Sequence, residues 1–165
     1  AALTGVNATA GHAKIETING SINVDNAVNA GLNVMLNAGS AGSDVNLNAT
    51  VTSNAGSVSI TAQDSVSQNA NGDITVSTGT GTIYVRAVDG SITMIDGTSS
   101  VTANGNIRYH AAQNVTVALI NAGTGSVGIE ATNGDILDAA ADNVGVDANG
   151  FVRSRNHRQR RVSQS

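Results

Sequence analysis

The amino-acid sequence predicts an all-β chain wound as a parallel β-solenoid, with coils of roughly 20 residues. Three observations carry this. One short phrase recurs along the chain: a glycine or other turn residue, a small polar residue, Ile or Val, a spacer and a second aliphatic residue. Each copy alternates apolar and polar at period two, the pattern of a half-buried strand. The apolar residues are mostly Ala, Val and Ile, with one Phe, two Tyr and no Trp, too few bulky side chains for an ordinary globular core but enough for a narrow aliphatic one.

Taken in order, clear copies are Asn19-Gly20-Ser21-Ile22-Asn23-Val24, Gly42-Ser43-Asp44-Val45-Asn46-Leu47, Gly56-Ser57-Val58-Ser59-Ile60 and Asn71-Gly72-Asp73-Ile74-Thr75-Val76. Gly81-Thr82-Ile83 and Gly90-Ser91-Ile92 follow at intervals of nine, then Asn104-Gly105-Asn106-Ile107, Gly125-Ser126-Val127-Gly128-Ile129 and Asn133-Gly134-Asp135-Ile136. Gly31-Leu32-Asn33-Val34 and Gln113-Asn114-Val115-Thr116-Val117 are weaker copies. The turn residues tolerate positive φ, so the copies read as short strands separated by tight turns. No sustained helical periodicity with caps occurs, and Asp138 to Asp142 is too short to stand as a helix.

A hairpin-built sandwich also places turns every 8–12 residues. Sandwich strands occupy unlike environments and diverge, whereas a solenoid sets equivalent residues above one another, so repetition of one phrase favours the solenoid. Its turn-borne Asn, Ser and Thr are then expected to align as hydrogen-bonded ladders between some eight coils, and its open strand edges to template pairing with another chain.

The net charge of -4 hides a division. Residues 1–152 hold three basic side chains, Lys14, Arg86 and Arg108, against all twelve acidic ones, while the last thirteen residues carry five arginines. The expected organisation is therefore a solenoid over residues 1–150 and a basic, flexible tail over 151–165. Negative charge along the rod disfavours nucleic-acid binding. No apolar run is long enough to span a membrane, and Ala at position 1 suggests a mature product or a fragment. Without cysteine there is no disulfide or thiol chemistry.

The phrases Asn71-Gly72-Asp73-Ile74-Thr75-Val76, Asn133-Gly134-Asp135-Ile136-Leu137-Asp138 and Gln113-Asn114-Val115-Thr116-Val117 resemble the repeats of filamentous haemagglutinin-like exoproteins and giant bacterial adhesins. The resemblance covers roughly residues 15–150. It implies a right-handed parallel β-helix, export to the bacterial surface or beyond, and a part in adhesion, aggregation or biofilm structure.

Candidate chemistry is sparse. The Gly-Gly-x-Gly-x-Asp pattern of calcium-binding β-rolls is absent, and Asp135, Asp138 and Asp142 read as solvated turn residues. His12, His110 and His157 show no metal or triad spacing. Neither a metal nor a cofactor is expected. The stretch "TVSTGTGT" does not recur at one coil position, as an ice-binding array would require. Alternation turns Tyr84 and Arg86 outward in one strand and Arg108 and His110 outward in another, an aromatic and cationic patch suited to glycan contact if the strands share a face. In the tail, Arg158, Arg160 and Arg161 suit docking on the acidic rod of another molecule or recognition by a processing protease.

The expected function is a non-enzymatic structural stalk or adhesive repeat region of a secreted bacterial surface protein, with host or matrix glycans as partners. Two alternatives stand beside it: a subunit stacked end to end into an extracellular filament, and a carbohydrate-active β-helix enzyme.

Overall fold

Each copy of the recurring phrase is a corner followed by a strand. The computed structural model describes residues 5–139, 146–147 and 150–155, the last two stretches as backbone only. Among these residues there is no helix. The first coil holds β1 (Val6–Ala8), β2 (Ala13–Thr17) and β3 (Ile22–Val24), and the second β4 (Val28–Ala30), β5 (Val34–Ala38) and β6 (Val45–Leu47). The third holds β7 (Val51–Ser53), β8 (Val58–Ala62) and β9 (Val66–Gln68), and the fourth β10 (Ile74–Val76), β11 (Ile83–Ala87) and β12 (Ile92–Met94). The fifth follows with β13 (Ser99–Thr102), β14 (Ile107–Ala111) and β15 (Val115–Val117), and the sixth with β16 (Leu119–Asn121), β17 (Ser126–Ala131) and β18 (Ile136–Asp138). A further turn begins with β19 (Val146–Asp147) and β20 (Gly150–Arg155).

Every third strand joins the same sheet, in parallel and in register. The first sheet runs from β1 to β19, the second from β2 to β20 and the third from β3 to β18. The fold is a three-sided β-solenoid of about six coils, with about 23 residues to a coil. The expected coils of roughly 20 residues are found, at about 23, and the expected count of eight falls to about six. The overcount comes from the first sheet, whose strands mostly lack the phrase: Ala27 precedes Val28, Thr50 precedes Val51 and Leu119 begins β16. Glycine spacing therefore registers two corners per coil and misses the third. The fourth coil alone spells the phrase at all three corners, so Gly72, Gly81 and Gly90 bound the sides of a single coil. At the other end, β20 runs from Gly150 to Arg155.

The inward residues stack into one narrow core. Val34, Val58, Ile83, Ile107 and Val127 form one buried column of the second sheet, and Leu36, Ile60, Val85, Tyr109 and Ile129 the next. Polar residues at core positions serve the corners. Ser53 Oγ donates to Leu32 O (2.6 Å) and accepts from Gly56 N (2.9 Å), and Thr102 Oγ1 donates to Gly105 O (2.6 Å). One network ties all three sheets: Ser100 Oγ of β13 lies 2.6 Å from Tyr109 Oη of β14, which donates to Gln68 Oε1 of β9. Gln68 Nε2 donates in turn to Gly72 O (3.0 Å) and Ser99 O (3.2 Å). Every buried side-chain N or O atom among the described residues has a partner, as a dry interior demands.

The expected ladders run outside this core. Before each strand of the third sheet, the small polar side chain accepts the backbone N–H of its counterpart one coil on. Ser21 Oγ takes Asp44 N (2.9 Å), Asp44 Oδ1 takes Ser65 N (3.0 Å), and Ser65 Oγ takes Ser91 N (3.2 Å). Ser91 Oγ takes Asn114 N (3.3 Å), and Asn114 Oδ1 takes Asp135 N (2.8 Å). A second ladder precedes the second sheet through His12, Asn33, Ser57 and Thr82, and resumes between Asn106 and Ser126. The small polar residue of the phrase is thus the rung, and its short side chain fits the 4.8 Å spacing between coils.

Glycine in the phrase answers to the same spacing. At the corner before the second sheet, Gly56, Gly81, Gly105 and Gly125 stack in a column. A Cβ on Gly105 would stand 1.8 Å from Gly81 O, and one on Gly81 2.0 Å from Gly56 O. The coils close onto each other here only because no side chain intervenes.

Candidate functional site

The second sheet has the longest strands, so each presents two outward residues rather than one. Along its outer face one column runs Lys14, Met35, Ser59, Tyr84, Arg108, Gly128, and the neighbouring column Glu16, Asn37, Thr61, Arg86, His110, Glu130. Tyr84 is in register with Arg108 and Arg86 with His110, so the four residues singled out by alternation lie side by side on one face.

Glu130 completes this patch. Its carboxylate reaches Arg108 Nη2 at 3.1 Å and lies 3.9 Å from His110 Nε2, which is also 3.4 Å from Thr132 Oγ1. Half the expected cationic character is therefore answered from within the sheet. The pair is solvent-exposed and contributes at most about 1 kcal/mol to stability, so its effect is to orient Arg108. Arg86 is exposed and forms no ion pair among the described residues. Glu130 was legible from alternation in Val127-Gly128-Ile129-Glu130, but only the register of β14 on β17 brings it to His110.

The first coil repeats the theme in reverse. Lys14 Nζ contacts Glu16 at 2.7 Å and Asn37 Nδ2 donates to it at 2.9 Å, and these neighbours hold the Glu16 carboxyl below its usual range. Glu16 and Glu130 are five coils apart on this face, roughly 24 Å at the interstrand spacing, far beyond the separation that glycoside hydrolysis requires of two carboxylates.

The remaining candidates take structural places or fall outside the described residues. His12 Nδ1 accepts Asn33 N–H at 3.2 Å as a ladder rung, and Asp135 receives the Asn114 rung. Asp138 ends β18, while Asp142, His157, Arg158, Arg160 and Arg161 lie outside the described residues. Among the described residues no group of His, Asp and Glu is disposed to hold a metal, and no helix is long and apolar enough to cross a membrane.

Comparison with protein families, with curated proteins and with solved structures finds no match.

Proposed function

We propose that this chain is a structural stalk or adhesive repeat region of a secreted bacterial surface protein, non-enzymatic and working at the cell surface or beyond it. The observation that carries the reading is the use of the polar residues: before the third sheet the small polar side chain of every coil from the first to the fifth is spent on joining it to the next, and a second, interrupted ladder does the same before the second sheet. Residues committed to coil joining supply length and rigidity rather than chemistry. The resemblance to exported adhesin repeats supports the surface location.

Contact with a partner belongs to the one part of the described face whose side chains are long, aromatic and charged. Tyr84 offers a ring for stacking against a sugar, and Arg86 donors for its hydroxyl or acidic groups. Arg108, tied to Glu130, borders the same spot. Host or matrix glycans fit this chemistry.

The test is binding of the purified chain to arrays of neutral and acidic glycans, beside the Tyr84→Ala, Arg86→Gln variant. An affinity loss of about tenfold or more, with an unchanged melting transition, is the expected result. Equal binding by the variant sinks the patch as the contact. Polysaccharide turnover that disappears in Glu130→Gln overturns the stalk reading in favour of an enzyme.

A further inference from the structure

Among residues 5–139 the basic side chains are Lys14, Arg86 and Arg108. Two of them are answered within the second sheet, Lys14 by Glu16 and Arg108 by Glu130. Arg86 is the exception: it is exposed and forms no ion pair among the described residues.

The register explains this. In its own column Arg86 lies between Thr61 and His110, and the neighbouring column sets Ser59, Tyr84 and Arg108 beside it. None of these five residues is acidic. The carboxylates that come next are engaged elsewhere. Asp89, at the corner after β11, accepts Gln63 Nε2 at 2.8 Å, and Glu130, beyond His110 in the column, reaches Arg108 at 3.1 Å. A guanidinium thus stands with its charge unanswered, beside a tyrosine, on a stretch of chain whose ionisable side chains are mostly acidic.

We infer that the ligand of this patch is an acidic saccharide whose carboxylate pairs with Arg86 while a sugar ring rests on Tyr84, an inference that rests on these two residues being the glycan contact. They are two positions apart on β11 and hence about 7 Å apart along one face, a span that a sugar ring and its carboxylate cover with side chains of this length. The planar guanidinium meets a carboxylate with two parallel hydrogen bonds, whereas a neutral hydroxyl takes one and leaves the charge unanswered. Ser59 and Thr61 on the preceding strand are short, so that side of the pair is not filled by long side chains. Along the column of Arg86 a polyanion meets Glu130 in one direction and Glu16 in the other. The site therefore suits one carboxylate and not a run of sulfates.

Titration of the full chain, followed by the backbone amide signals of β11, tests this with sialyllactose and a glucuronate-terminated disaccharide, each beside its uncharged methyl ester, and with heparin. Each acid is expected to bind about tenfold or more tightly than its ester. Added salt should weaken the acid and leave the ester unchanged, a comparison that needs no variant. In Arg86→Gln the acid should fall to the level of the ester, and in Tyr84→Ala both should weaken, with melting curves showing that each variant is folded. Acid and ester bound alike at β11, or heparin bound while both single acids are not, overturns the acidic ligand and leaves the glycan contact standing. If none of the sugars, charged or neutral, moves the β11 signals, the glycan contact fails and this inference with it.

Discussion

Replacing Gly105 with alanine is expected to destabilise the protein by about 3 kcal/mol or more, a larger effect than truncating most core methyl groups. The added Cβ would stand 1.8 Å from the Gly81 carbonyl oxygen, and backbone in the middle of a glycine column has nowhere to move without lifting one coil off another. Gly128→Ala is the matched control. Gly128 lies within β17 of the same sheet, where an added Cβ meets nothing within 4 Å and φ is not positive. Removing the conformational freedom of that glycine should be neutral or stabilise by about 0.5–1 kcal/mol. Guanidinium denaturation midpoints of the two variants measure both. A Gly105→Ala protein as stable as the wild type would mean that coil spacing is not fixed by this column.

Tyr109→Phe is expected to cost about 1–3 kcal/mol at neutral pH, and Tyr109→Ala about 3–5 kcal/mol. The phenylalanine variant keeps the ring but takes a partner from Gln68 and Ser100 in a fully buried network. The alanine variant opens a cavity where three sheets meet. Burial also pushes the Tyr109 phenol far up from its ordinary value, and the Ser100 hydrogen bond offsets this only in part. The folded state therefore binds the proton more tightly than the unfolded chain. Stability from this source is full below about pH 10 and falls as pH rises above it, by about 1.4 kcal/mol per pH unit while the unfolded tyrosine is ionised and the folded one is not. Tyr109→Phe should remove that alkaline slope although it is less stable at neutral pH. Denaturation midpoints from about pH 8 to 11 check this, and an unchanged slope in Tyr109→Phe would show that the phenol does not titrate on unfolding.

Much of this architecture could be read from the residues because one phrase encodes three physical tasks. Gly81 permits close approach, Thr82 takes its place in the ladder, and Ile83 fills the core. The side-by-side placement of Tyr84, Arg86, Arg108 and His110 was legible too, since alternation sets their direction and repetition sets their register. What escaped was whatever depends on the height of a residue in the stack. Gln68 reaches Tyr109 across 41 positions in the chain, and no local pattern distinguishes it from the polar residues that face solvent. Ser53, Ser100 and Thr102 break the apolar rule at core positions and look like spacers until the backbone and side-chain groups they satisfy are in view. The third side of each coil was hidden for a related reason: first-sheet strands such as Val28–Ala30 and Val51–Ser53 follow Ala27 and Thr50, which carry no glycine signal.

The register of the three sheets has a mechanical meaning. In a parallel stack the interstrand hydrogen bonds lie along the axis of the rod, so a pull on its two ends strains them in tension, one coil at a time, and not in shear along a whole strand. Yielding then starts at an end and advances by detaching one coil, while the coils beyond keep their full set of bonds. With about 23 residues to a coil, each detachment releases roughly 75 Å of chain in place of a 4.8 Å rise. A tether made this way lengthens under load in equal increments and holds its connection long after its first coil has given way.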